Sequence, residues 1–298
     1  MANDFNVMHQ DMLEKQKNRI FKETVDAYAS LQSEIFLIVS QELSLKQTEI
    51  KIKEIIDETF KSIQEELQSE LVEISYYEAQ AQYAVLQNTV AYGLKGELEK
   101  VSKGLIESTI FKSPIDGLLM KESFNNMSAN LQAQTLRQVR IGVLSGLPVK
   151  DIKNSVTATL NTSSKRYESF VRTAVQNTTQ ISKDLTYNKN KSFIKEIQIV
   201  AIMDKRTTDV CKGYNLNVYP VGEGPRPPFH YNCRTFTIPI FKSEDLIDEN
   251  EVYSNYNPTS GGYELSTNEK GEFKPTTQLI TIPQQRAVEE KELGRKIT

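Results

Sequence analysis

Apolar residues recur at steps of three and four through the first third of the chain. Phe21, Val25, Tyr28, Leu31, Ile35 and Ile38 fall on one face of a helix. A second helix opens at Ser44, whose spacing to Gln47 fits a capping box, each side chain meeting a free backbone N–H. Behind it Ile52, Ile56, Ile63, Leu67, Leu71 and Ile74 form another stripe, while Glu54, Glu58, Glu65, Glu66 and Glu73 take the solvated side. The pattern continues through Tyr76, Tyr83 and Val90, and Gly93 and Gly96 are expected to end or bend it. Two such helices each need a covering face, so a hairpin or a bundle with other subunits is expected. Core packing is the plain role of these stripes.

Proline marks where this texture stops. None precedes Pro114, and eight of the ten lie at or after Pro220. Proline lacks an N–H and clashes within a helix, so the first 113 residues are free to be helical. After Pro114 the spacing predicts helices over 128–145, from near Pro148 and Asp151, and from Arg166 to Leu185, with a turn at Ser145-Gly146-Leu147-Pro148. Alternation then takes over. Ile197, Ile199, Ala201 and Met203 share one face of a strand, a Gly/Pro loop runs from Val221 to Pro228, and Thr235 to Ile240 reads as a second strand. Beyond about residue 243 the chain is polar, with one candidate strand at Leu279–Ile282. The expected fold is an α-rich α+β protein: a long N-terminal helical arm (1–113), a compact α+β module (114–242) and an extended tail (243–298).

Composition narrows the class. At 298 residues the chain suffices for two domains, at roughly 150 residues each. The mean hydropathy is −0.46. The longest purely apolar run, Ile35 to Val39, has five residues, against the roughly 20 that cross a bilayer. No membrane partner is expected. The opening MANDFNVMHQ has no basic stretch leading into an apolar one, so synthesis and assembly in a cytosol are expected. Charge is uneven: residues 1–100 carry 10 Lys/Arg against 18 Asp/Glu, and residues 101–200 carry 14 against 7. A basic middle segment suits nucleic acid or an acidic partner, or is simply a solvated helix face.

The chemistry-bearing residues are concentrated. Asp204-Lys205-Arg206-Thr207-Thr208-Asp209-Val210-Cys211 is followed by Pro227-Pro228-Phe229-His230-Tyr231-Asn232-Cys233-Arg234. Both cysteines of the chain and one of its two histidines fall within 23 residues. Cys211, His230 and Cys233 offer two thiolates and an imidazole to zinc, with Asp204 and Asp209 the nearby acids and Asp209 the candidate fourth ligand. A metal-free knot held by packing and hydrogen bonds from His230 and Arg234, and a Cys–His nucleophile pair, are the alternatives. His9 is too remote in sequence to join them. A P-loop, a dinucleotide fingerprint and an HExxH helix are absent from the sequence.

The order of these pieces resembles a family. From Val171 to Pro239 the chain is similar to the C-terminal region of phage Mu F-like minor head proteins, the SPP1-type head-morphogenesis family. The matching elements are the helix Val171 to Asn177, the strand leading into Asp204 to Thr208, Cys211, Gly213-Tyr214-Asn215, Pro227-Pro228 and His230 to Arg234. The likeness spans about Thr135 to Pro239, leaving out the long N-terminal helices and the tail. Some members carry a further cysteine three residues before the one matching Cys211, where this chain has Thr208. The resemblance implies a non-enzymatic minor capsid protein, in several copies per virion, at the portal or inner head surface. Its implied partners are the portal or major capsid protein and packaged DNA. Its implied place is the virion, after assembly in the host cytoplasm. A DNA-contacting protein ejected with the genome and a metal-dependent hydrolase are the competing classes.

Overall fold

The computed structural model describes residues 2–90, 92–242, 266–267 and 273–274. The first helix, α1 (Ala2–Val39), runs antiparallel to α2 (Leu45–Thr89), with Arg19 reaching Glu70 and His9 reaching Glu78 across the pair. Ser44 and Gln47 form the expected capping box, Gln47 N–H donating to Ser44 Oγ at 3.4 Å and Ser44 N–H to Gln47 Oε1 at 3.1 Å. The buried face of α1 differs from the expected stripe. Leu13, Lys17, Ile20, Thr24, Tyr28, Leu31, Ile35 and Ile38 are buried, while Val25 is 40% exposed and Phe21 is half-buried. Thr24 takes the inward position because its hydroxyl donates to the Ile20 carbonyl at 3.0 Å, so no polar group is left bare. At the far end α2 stops at Thr89, four residues short of Gly93, and a 3-10 turn occupies Tyr92–Glu97. Asn88 and Thr89 bond back to the carbonyls of Ala84 and Val85 in that last turn.

A short helix, α3 (Lys103–Ile110), leads to α4 (Met120–Leu144) and α5 (Val149–Lys189). The two helices expected between Pro148 and Leu185 are one. The polar run Asn161-Thr162-Ser163-Ser164 reads as a break, yet Val156, Leu160, Tyr167 and Phe170 on either side of it are buried on a single stripe. Packing overrides the weak local propensity. Gly146 (φ 63°) makes the turn between α4 and α5. Gly142 permits their close approach, because an added Cβ would meet Ile152 Cγ1 at 2.5 Å.

The four long helices form an up-down-up-down bundle. Gln32 meets Thr157 and Tyr28 meets Ser163, setting α1 against α5; Glu49 meets Arg140 and Asp57 meets Ser128, setting α2 against α4. At its centre Phe124 packs edge-on to Phe170 and Tyr167, with Phe60 and Tyr28 beside them. One apolar cluster extends from Leu13 to Val175, and it includes Ile106 and Ile110 before Pro114 as well as Ile115 and Met120 after it. The apolar faces of α1 and α2 are thus covered by α4 and α5 of the same chain. Each fully buried aliphatic side chain adds on the order of 1.5–3 kcal/mol.

A three-stranded antiparallel sheet sits against the bundle, in the order β2 (Val218–Pro220), β1 (Ile194–Val200), β3 (Phe236–Phe241). Ile197 pairs with Tyr219 on one side and Pro239 on the other. Strand β1 ends three residues before Met203, which is 59% exposed and takes no part in the buried face. Pro239 is tolerated because β3 is an edge strand. Strand β3 packs on α5 and α1. The uneven charge resolves within the chain: Arg172, Lys183, Arg140, Lys103 and Lys189 pair with Glu14, Glu78, Glu49, Glu73 and Glu99. Among the described residues no helix is long and apolar enough to cross a membrane. Of the residues past 243, Ser266–Thr267 (β4) and Phe273–Lys274 (β5) pair antiparallel; Leu279–Ile282 lies outside the described residues.

Candidate functional site

The loop joining β1 to β3 is closed at its base by an ion pair. Asp204, just past β1, accepts two hydrogen bonds from the guanidinium of Arg234, just before β3, at 2.8 and 2.6 Å. Those bonds, with the Arg206 backbone N–H, hold the Asp204 carboxyl well below its ordinary pKa. Within the loop, helix α6 (Asp209–Tyr214) starts at Thr208, whose hydroxyl accepts the Cys211 N–H at 3.4 Å. Cys211 therefore sits in a fixed first turn. On the returning limb a tight turn, with Cys233 N–H donating to the His230 carbonyl at 3.2 Å, presents His230 and Cys233 to it. Asn232 takes the left-handed conformation in that turn (φ 60°), a geometry asparagine tolerates.

The three side chains converge. Cys211 Sγ lies 3.1 Å from His230 Nε2 and 3.7 Å from Cys233 Sγ, and all three donor atoms fall within 4.8 Å of one another. Both cysteines are buried and unoxidised. His230 Nδ1 stands 2.7 Å from the Tyr231 carbonyl, which can only accept. Nδ1 therefore carries a proton, and Nε2 is the ring atom that faces Cys211. Burial works to raise the Cys211 thiol, but hydrogen bonds from Thr235, Thr208, His230 and Cys233 outweigh it and bring the pKa below the ordinary value. Burial pushes the Cys233 thiol up. Asp209 takes no part: its carboxylate is 97% exposed and pairs with Lys212 at 2.9 Å. Asp204 is committed to Arg234. His9 lies elsewhere, buried against Glu78.

Anchors that sequence reading missed come from α5. Thr173 Oγ1 accepts the Asn232 N–H at 3.0 Å, Ser169 Oγ accepts from the Asn232 amide at 2.8 Å, and Gln176 donates to the Thr235 carbonyl at 2.8 Å. Tyr214 stacks on Phe229 with ring centroids 4.6 Å apart, and Arg226 pairs with Asp184. The only sequence signal for these anchors is polar residues at inward helical positions. A small cleft beside the cluster measures about 20 Å³ and is bordered by Thr208, Cys211, His230 and Thr235. That volume holds about one water. The arrangement can act as a thiol–imidazole network or as a ligand set. No family model, curated protein or solved structure matches the chain.

Proposed function

We propose that this chain is a minor head protein of a tailed phage, docked at the portal or inner capsid, aiding head assembly and DNA packaging and delivery without catalysis of its own. The observation that carries the reading is the convergence of the resembling segments. Val171–Asn177, Asp204–Thr208, Cys211 and His230–Arg234 are distant in sequence, and they meet through Thr173–Asn232, Gln176–Thr235 and Asp204–Arg234. A shared motif whose parts hold one another together is what a common module requires.

A docking face is available at one tip of the bundle. Ile141, Val143, Leu144 (74% exposed), Leu147 and Val149 stand out around the α4–α5 turn. Leu37 and Ile50 project at the same end, where Lys153 lies over Phe36 and Arg140 pairs with Glu49. Exposed apolar side chains gathered at one end of a bundle suit a contact site. The reading as a DNA-contacting protein loses weight, because five basic residues of the middle segment are matched by acids of the first hundred. Co-expression with the portal protein of the same genome, followed by size-exclusion chromatography, tests the proposal. Co-elution that Leu144→Asp abolishes supports it. Separate elution together with retardation of DNA by the chain would move the assignment to the DNA-contacting class.

A further inference from the structure

We infer that Cys211, His230 and Cys233 bind one zinc ion as two thiolates and an imidazole, with the fourth position left to a water in the adjoining void. The geometry is that of a tetrahedral ion. Two thiolates at about 2.3 Å from zinc stand roughly 3.8 Å apart, and a thiolate and an imidazole about 3.6 Å apart. The observed separations are 3.7 Å and 3.1 Å, and all three donor atoms lie within 4.8 Å of one another, so an ion enters with shifts of about an ångström. The imidazole is already in the required tautomer, its Nδ1–H tied to the Tyr231 carbonyl and its Nε2 free to ligate. That outer hydrogen bond is the usual partner of a zinc-bound histidine.

The charge balance agrees. Zinc with two thiolates is neutral, and no carboxylate is needed to complete it, which fits the commitment of Asp204 to Arg234 and of Asp209 to Lys212. The loop's own apolar cluster is small: it comprises Ala201, Cys211 and Cys233 with Phe229 packed alongside, in a connection of 35 residues between β1 and β3. Without a metal, the 3.7 Å sulfur–sulfur contact is a weak hydrogen bond between buried groups. A metal turns it into a bridge between the first turn of α6 and the turn before β3, and its binding energy adds directly to the stability of the module. Three protein ligands with a void at the fourth place distinguish this site from a closed four-ligand one.

The test uses the full chain purified without chelator. Elemental analysis should give one zinc per chain. Exchange for cobalt(II) should produce thiolate charge-transfer absorption and the intense visible bands of a tetrahedral ion. Adding imidazole or azide should shift those bands, since the fourth ligand is exchangeable. Asp209→Ala should keep the full metal content, and Cys233→Ser should lose cobalt absorption or bind at least tenfold more weakly. Because Cys233→Ser could fail to fold, wild-type protein treated with a chelator provides the second measurement: it should yield two newly reactive thiols and a lower Tm, both reversed by zinc. Metal-free protein with unchanged Tm in chelator, or a Cys211–Cys233 disulfide in freshly isolated protein, would overturn the inference. Visible bands unmoved by added ligands would overturn the open fourth position. The portal-association reading stands or falls separately, on co-elution.

Discussion

Glu78 is the residue on which the polar part of the core turns. It lies fully inside the α1–α2–α5 contact, with His9 at 2.5 Å, Lys183 at 3.7 Å and Gln82 donating at 2.8 Å, and Gln82 in turn accepts from Tyr187. Burial raises its pKa, but His9 and Lys183 outweigh that cost and take it down to about 2. In unfolded chain the carboxyl titrates at its ordinary value of 4.5. Between those pH values the unfolded state therefore holds the extra proton, and stability falls as pH falls. Removing one partner of a buried ion pair costs on the order of 3–5 kcal/mol. Glu78→Gln should accordingly lower the unfolding free energy by about that much at pH 7 and flatten its decline below pH 4.5. Denaturant titrations of wild type and variant at pH 7, 4.5 and 3 check this, and an unchanged pH profile would count against the assignment. Glu78 and Gln82 were hidden to sequence reading because glutamate on a charged helix is ordinarily solvated. The informative sign was position, since residues 74, 78 and 82 continue the inward stripe.

At the scale of elements, helices and caps were legible and boundaries less so. Ser44 and Gln47 signalled the start of α2, and its apolar spacing gave the buried face, because both depend on local chemistry alone. The unity of α5 was not legible. It depends on Val156, Leu160, Tyr167 and Phe170 meeting α1, α2 and α4, a condition no window of sequence contains. Likewise β2 went unread: three residues, Val218 to Pro220, are a strand only because β1 offers them an edge. The cysteine–histidine cluster was legible as a set of residue types within a closed loop. The exclusion of Asp209 was not, since an N-terminal position in α6 turns its carboxylate outward to Lys212. The α4–α5 contact makes its own forecast. Gly142→Ala puts a methyl 2.5 Å from Ile152 Cγ1, and overpacking of this kind costs about 1–3 kcal/mol. Thermal denaturation should show a lower Tm. On an Ile152→Ala background, which removes both Cγ1 and Cδ1, Gly142→Ala should cost markedly less, and that loss of effect would identify the clash as the cause.

For the whole molecule, a single apolar cluster from Leu13 to Val175 implies that the four long helices unfold together. Circular dichroism and tyrosine fluorescence should report coincident transitions in denaturant, and two separated midpoints would show the arm and module to be independent. In the proposed role, the outward features carry the interactions. Leu144→Asp alters an exposed side chain at the bundle tip, so stability should stay within about 0.5 kcal/mol of wild type while portal association is lost. His230→Ala removes the side-chain partner of buried Cys211, so it should destabilise the module by on the order of 1–3 kcal/mol. These two variants separate assembly from chemistry when placed in a virion. The most direct measurement of the central claim is the protein composition of purified particles, taken beside their infectivity, for wild type and His230→Ala. A minor head protein held by its fold should be depleted from His230→Ala particles in proportion to the loss of infectivity. Particles carrying the variant at normal copy number yet unable to infect would contradict the account and point to His230 as a catalytic group.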